Sequence, residues 1–246
     1  MQIFQRKMWI SSLRQLFPQI NIGAENAVAF DINAACSGFL FALDTAALYL
    51  EHGGYQHALV IGAETLSKMM DWTDRSTCVL FGDGAGAAVL SASKEDGILS
   101  MVQGSDGFRG DVLNCMTRKV NNPYKKSDTA LSYVSMNGQE VYRFAVKTVP
   151  KAVTDAVEQA GLQLEEVDLF LLHQANYRII EAVSKRLGQP MEKFPTNLEE
   201  CGNISAASVP ILLDNVNNHG MMRKGMKIVL AGFGAGLTWG ATVINW

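Results

Sequence analysis

The same passage occurs twice in this chain, and that duplication limits what it can fold into. The first copy runs from Ala29-Phe30-Asp31-Ile32-Asn33-Ala34-Ala35-Cys36 into an apolar stretch, Phe39 to Leu50. It then passes Gly53-Gly54 and a strand-like run, Ala58 to Gly62, and reaches Gly82-Asp83-Gly84-Ala85-Gly86 before the apolar residues up to Leu90. The second copy runs from Cys201-Gly202-Asn203 through Ala206 to Val216, then Gly220, a strand-like Lys227 to Ala231, and Gly232-Phe233-Gly234-Ala235-Gly236. Cys36 precedes Gly53 by 17 residues, and Asn203 precedes Gly220 by the same 17. The spacing therefore sets Cys36 and Asn203 at equivalent places, with each copy closing on a GxGAG turn that leads into a strand. Two such units must bury their apolar faces against each other.

The second copy carries a further layer in front. Gln139 to Ala160 has apolar residues at helical spacing, including Val141, Phe144, Ala145, Val149, Ala152, Val153 and Ala156, with Gly161 placed to end the helix. Val167 to Leu172 reads as a buried strand ending at His173, and Asn176 to Leu187 as a helix closed by Gly188 and Pro190. Strands alternating with helices predict an α/β fold with largely buried sheets. From Glu140 to Asn203 there are 63 residues, but only 35 from Met1 to Cys36, so about one helix–strand layer is expected to be missing from the first half. The division is expected near residues 1–98 and 99–246.

Composition narrows the function classes. A net charge of −3 and a pI of 5.8 leave no basic surplus to neutralise phosphates, which argues against a nucleic-acid binder. No apolar run reaches the roughly 20 residues of a membrane span. Cys36, Cys78, Cys115 and Cys201 form no CxxC pair and have no metal-ligand spacing, so they read as reduced cytosolic thiols, with no metal expected. Arg6, Lys7 and Arg14 precede the first acid, Glu25, as in a transit peptide. The preferred reading is an ordinary or irregular N-terminus, because the pattern of a secretory signal is absent.

Cys36 follows a strand-like run and opens a helix, where unpaired N–H groups and the macrodipole favour a thiolate. The small neighbours Ala34, Ala35, Ser37 and Gly38 leave room at the sulfur for a bulky acyl group. His173 ends a buried strand and meets a helix start, a position that projects into clefts at carboxyl ends of strands. The bland alternatives are a buried small residue and a structural histidine. Three polar groups at converging sites, Cys36, His173 and Asn203, are harder to dismiss than either alone. His52, His57 and His219 read as surface residues, and Asp83 as a carboxylate satisfying nearby N–H groups. The GxGAG turns lack the lysine and hydroxyl of a phosphate loop.

These residues, with Thr73-Asp74-Arg75, His173-Gln174-Ala175-Asn176, Gly202-Asn203-Ile204-Ser205-Ala206-Ala207-Ser208 and Gly232-Phe233-Gly234-Ala235-Gly236-Leu237-Thr238-Trp239-Gly240, make the chain resemble the β-ketoacyl-acyl-carrier-protein synthase III family. These are initiating condensing enzymes of the thiolase fold. The resemblance covers Ile22 to the C-terminus. It implies two pseudo-symmetric βαβαβ halves in an α/β/α/β/α stack, the first half incomplete. Cys36 would take an acyl group from acyl-CoA, a substrate rather than a cofactor. His173 and Asn203 would stabilise the enolate formed as malonyl-acyl carrier protein loses CO₂. The backbone N–H groups of Cys36 and Ala235 would form the oxyanion hole, where the family usually has glycine at the second place. Phe233 would line the site and Arg75 would contact CoA. Arg178, Lys185 and Arg186 would meet the acidic carrier protein; Arg178 and Lys185, seven apart, share a helix face. The Cys–His–Asn set differs from the Cys–His–His of elongating synthases. The resemblance further implies a cytoplasmic homodimer with no added cofactor. Two alternatives stay open: a starter synthase for a polyketide or quinolone, and an inactive remnant of the fold.

Overall fold

A computed structural model describes residues 7–11, 19, 21–95, 97–115, 122–124 and 133–246, with only the backbone of 7–11. Strands β1 (Lys7–Ser11), β2 (Val28–Asp31), β3 (His57–Thr65) and β4 (Asp83–Ser91) form one sheet in the order β2-β1-β3-β4. Strands β5 (Ile98–Ser105), β8 (Leu169–Leu172), β9 (Lys227–Gly234) and β10 (Thr238–Asn245) form a second, in the order β5-β10-β9-β8. Between them in sequence, β6 (Leu113–Cys115) and β7 (Val134–Met136) make a separate antiparallel pair. The α-helices are α1 (Gly38–Glu51), α2 (Gly138–Gln159), α3 (Tyr177–Leu187), α4 (Leu198–Cys201) and α5 (Ser208–Asn218).

The two sheets repeat one arrangement. The strand after the buried helix, β3 or β9, has an antiparallel neighbour on one side, β4 or β10, and a parallel neighbour on the other, β1 or β8. At the N-terminus, expected to be ordinary or irregular, Lys7–Ser11 forms a strand, parallel to both β2 and β3, in the place β8 takes in the second half. Arg6 and Arg14 lie outside the described residues. In the second half β5 pairs antiparallel outside β10. Among the described residues β4 has no such outer partner, and the first half has no counterpart of α2. Among the described residues, β5 and α2 are the elements of the second half that go unmatched in the first.

Burial sets the layers. Phe39, Leu40, Leu43 and Ala46 of α1 and Leu212 and Val216 of α5 meet Val60 of β3 and Leu230 of β9 between the sheets. Each of these Phe, Leu and Val side chains contributes about 1.5–3 kcal/mol when fully buried, so this middle layer holds the halves together. On the far face of the second sheet, Val149 and Val153 of α2 and Ile180 and Val183 of α3 cover Phe170 and Val229. The outward face of β4 carries exposed side chains, Val89 among them.

The repeat is real, but its register differs from the one the equal spacings suggest. Two backbone turns of the same shape, Ala35–Ser37 and Ser205–Ala207, precede α1 and α5, each entered at positive φ, 47° at Ala35 and 48° at Ser205. Asn33 Oδ1 accepts the Ala35 N–H at 3.1 Å, and Asn203 Oδ1 accepts the Ser205 N–H at 2.9 Å. The counterpart of Asn203 is therefore Asn33, and that of Cys36 is Ala206. Helix α1 has 14 residues and α5 has 11, and Cys36 stands as many residues beyond Asn33 as α1 exceeds α5, so the two 17-residue spacings agree by compensation. The GxGAG segments are not equivalent either. Gly84 and Gly86 lie inside β4, where a Cβ on Gly86 would stand 2.8 Å from the Ile211 nitrogen, whereas Gly232–Gly234 end β9 and Ala235–Leu237 turn into β10.

One carboxyl is buried in the middle layer. Asp44 of α1 accepts hydrogen bonds from Gln103 Nε2 of β5 and from Thr242 Oγ1 of β10, the latter at 3.1 Å. Burial pushes its pKa up to about 7, against the lowering effect of both bonds. With the native pKa above the unfolded one, the folded state holds its proton longer. The stabilisation is complete below the ordinary carboxylate range and is lost as pH rises to about 7. An Asp44→Asn variant has no proton to lose. The melting temperature of the wild type is expected to fall relative to the variant between about pH 4 and pH 7, with the gap constant above that. A gap independent of pH would contradict this assignment.

Candidate active site

Three elements bring the chemistry together. Cys36 lies in the turn before α1, His173 directly follows β8, and Asn203 sits between α4 and the Ser205 turn. All three are buried, and all line one cavity of about 470 Å³ together with Phe81, Phe233 and Arg178.

The backbone that holds Cys36 is crowded. A Cβ on Gly234 would lie 2.5 Å from the Cys36 nitrogen, so only glycine lets the end of β9 back onto that turn. Thr238 Oγ1 donates one hydrogen bond, with the Ala34 and Ala235 carbonyls as acceptors, both at 3.0 Å. It lies 2.7 Å from Ser37 Oγ as well, tying the β9–β10 turn to the cysteine turn. Ala235 is thereby anchored beside Cys36, half-buried.

The sulfur does not have the low pKa that its place before a helix suggests. Burial pushes the thiol up to about 11; the Ser205 hydroxyl lowers it, the Glu64 charge raises it further, and the Cys36 N–H lowers it. Desolvation of the thiolate outweighs the N–H groups at the start of α1. At rest Cys36 is a thiol.

The His173 backbone is fixed by its main-chain N–H, which donates to the Ala231 carbonyl at 2.7 Å, and the ring by its edge against Phe233, with centroids 5.6 Å apart. Phe233 in turn packs edge-on against Phe144 at 6.3 Å. Burial drives the imidazole pKa down to about 3, so the ring is neutral and carries one N–H donor and one bare nitrogen. Nδ1 has no hydrogen-bond partner among the described residues. Asn203 is gripped on its backbone: its N–H donates to Leu80 and its carbonyl accepts from Gly82, at 3.0 and 2.9 Å. Because Oδ1 accepts the Ser205 N–H, the amide nitrogen is left as the donor, with no hydrogen-bond partner among the described residues. A Cβ on Gly82 would stand 2.4 Å from the Cys201 carbonyl, which accounts for the glycine there. A neutral histidine and an amide nitrogen can both donate to one carbonyl oxygen that gains negative charge.

The other predicted residues are less uniform. Arg75 is exposed in a turn whose next residue, Ser76, lines the cavity. Of the three basic residues of α3, only Arg178 reaches the cavity. Lys185 pairs with Glu181 at 2.8 Å, and Arg186 Nη1 donates to the Val146 carbonyl at 2.6 Å. Asp83 behaves as expected: its carboxylate accepts from Ser67 N–H and Oγ, which holds its pKa down. Glu64, Asn33 and Thr238 were not singled out by sequence reasoning. The duplicated asparagine, two residues before each positive-φ residue, was the signal available.

A cysteine at the start of a central helix, facing a neutral histidine and an asparagine between two pseudo-symmetric α/β halves, defines a condensing enzyme of the thiolase fold. Comparison with known proteins narrows this. Residues 30–107 match the 3-oxoacyl-[acyl-carrier-protein] synthase III family and residues 157–246 its C-terminal family. The chain is 49% identical over 229 residues to β-ketoacyl-[acyl-carrier-protein] synthase III of Clostridium acetobutylicum, covering 93% of this chain and 70% of that one. To the enzyme of the same name from Thermosynechococcus vestitus it is 50% identical over 232 residues, with the same coverage. The crystal structure of the Thermus thermophilus synthase III superposes with a TM-score of 0.89 at 39% identity, covering 99% of this chain and 77% of that one. The chain belongs to the β-ketoacyl-acyl-carrier-protein synthase III family and is an initiating condensing enzyme of fatty-acid synthesis, an acyltransferase. No helix among the described residues is long and apolar enough to cross a membrane.

Proposed function

We propose that Cys36 takes an acyl group from acyl-CoA and that the resulting thioester condenses with malonyl-acyl carrier protein, with His173 and Asn203 supporting loss of CO₂. The observation that carries this is the convergence of Cys36, neutral His173 and Asn203 on one cavity. In the first half-reaction the sulfur attacks the acyl-CoA carbonyl. The oxyanion is received by the Cys36 N–H and, across the tethered β9–β10 turn, by the Ala235 N–H. In the second, the malonyl thioester oxygen accepts hydrogen bonds from the His173 ring and the Asn203 amide. As CO₂ departs, the enolate they stabilise attacks the Cys36 thioester. Phe233 closes the wall beside His173 and keeps water from the enolate. Arg178 at the cavity and exposed Arg75 supply positive charge for the acidic carrier and the CoA phosphates, while Lys185 and Arg186 extend the basic end of α3. The reading includes a cytoplasmic setting and a pair of identical chains, as the resemblance implies.

Incubated with acetyl-CoA and malonyl-acyl carrier protein, the purified chain is expected to release CO₂ and yield β-ketoacyl-acyl carrier protein, followed by mass spectrometry of the carrier. An unchanged carrier across straight and branched acyl-CoA primers would refute this reading.

A further inference from the structure

The cavity around Cys36 is walled by two parts of the protein that differ in stiffness. Val141, Ile179 and Phe233 belong to the large core of the second half, and Leu113, Met136 and Ala175 pack against that core. Walls of this kind are held by many interlocked side chains and yield little. Among the described residues that line the cavity, Phe81 alone rests on a different support. It packs on a small cluster of Leu66, Met70 and Cys78, with Met69 and Val134 at its margin.

This cluster can give way where the large core cannot. It includes the turn Leu66–Met69 that follows β3 and stands apart from both main cores. Two of its members are methionines, unbranched side chains with three rotatable bonds that take up new shapes easily, and Cys78 is small. The backbone at Phe81 is pinned, so only the ring is free to move. Phe81 bridges to Asn203 in parallel, and Gly82, next in the chain, donates to the Asn203 carbonyl at 2.9 Å. A displaced ring therefore turns about its own side-chain bonds, into the methionines, and leaves Asn203 in place.

The polar residues Ser76, Asn176 and Arg178 of the lining are exposed and mark the side from which a substrate's arm enters. An acyl chain on Cys36 is apolar and needs an apolar wall. We propose that Phe81 and the methionine cluster behind it, Met70 above all, form an expandable wall that admits acyl-CoA primers larger than acetyl, such as isovaleryl and hexanoyl. The inference rests on the reading of Cys36 as the acylated nucleophile and adds a primer class to it. An acetyl group leaves the ring where it stands. A longer or branched chain turns the ring toward Met70, which changes rotamer to receive it. Burial of the primer's own methylenes offsets the strain of that rearrangement.

The test compares single-turnover acylation by acetyl-, isovaleryl- and hexanoyl-CoA, read by intact mass, in wild type, Met70→Ile and Met70→Leu. Met70 stands behind Phe81, and its backbone is extended, with φ −92° and ψ 140°, which suits isoleucine. A β-branched side chain supplies similar bulk without the freedom. Leucine conserves volume and keeps the test open if the isoleucine variant does not fold. Wild type is expected to use the three primers at rates within about tenfold of one another. Both variants are expected to keep the acetyl rate within about twofold and to lose about tenfold or more on hexanoyl, the range one methylene commands in an apolar pocket. A wild type about 10²-fold slower with hexanoyl than with acetyl, or variants that slow all three primers alike, overturns the proposal. Disulfide exchange at Cys36 with methyl and hexyl methanethiosulfonate, read on the Cys36 peptide, keeps the wall separable from acyl transfer. The ratio of the two rates cancels the reactivity of the thiol itself. If wild type takes no acyl group yet its hexyl-to-methyl ratio falls about tenfold in Met70→Ile, the wall stands and the acyl-transfer reading falls. If the ratio is the same in wild type and both variants, the wall falls.

Discussion

Replacing Cys36 with alanine is expected to reduce condensation to background while leaving decarboxylation of the malonyl thioester in place. The substitution suits the backbone, because Ala206 occupies the matching position in the second half, before a helix of the same kind. It removes the sulfur that holds the acyl chain between the two half-reactions, so no carbon–carbon bond can form. His173 and Asn203 keep their supports, the Ala231 carbonyl and the Ser205 N–H. Both donors therefore remain aimed at the cavity, and malonyl-acyl carrier protein should still lose CO₂ to give the acetyl form. Loss of decarboxylation together with condensation would mean that the sulfur itself takes part in the second step.

The converse variant, His173→Ala, is expected to retain acylation of Cys36 and to lose decarboxylation and condensation by about 10²–10³, the usual cost of one oxyanion donor. The ring packs against Phe233, so thermal melting must accompany the kinetics to separate a loosened core from a lost hydrogen bond. Because His173 is neutral down to a pKa of about 3, the wild-type second step should show no imidazole titration in the neutral range. A decarboxylation rate that falls with protonation near the ordinary histidine value would contradict the donor role as described.

Local signals in the sequence located the elements well. The stripe from Val141 to Val157 and the glycine after it became α2, Gly138–Gln159, and Asn176 and Gly188 do cap α3. Amphipathic spacing and caps depend on neighbours a few residues away, so they can be read from a string. What depended on distant lengths could not. The three-residue difference between α1 and α5 cancels the three residues from Asn33 to Cys36, and this made Cys36 look equivalent to Asn203. The strand Lys7–Ser11 was missed because its slot is defined by β2 and β3 pairing on either side of it.

The site shows the same division. Cys36, His173 and Asn203 stand in motifs short enough to recognise, and they do line one cavity. The high pKa of Cys36 was not legible, because it comes from burial and from Glu64, which meets the cysteine only through the fold. Of the basic residues of α3, Lys185 has a partner one turn away, Glu181, which the sequence offers, whereas the Val146 carbonyl that accepts from Arg186 is brought there by the fold.

The central claim is that Cys36 carries the acyl group, and peptide mapping after a brief incubation with labelled acyl-CoA tests it most directly. The account predicts one acyl group per chain, confined to the peptide that contains Cys36 and absent from the Cys36→Ala variant. Label on Cys78, Cys115 or Cys201 in place of Cys36, or label that survives in the variant, would contradict it.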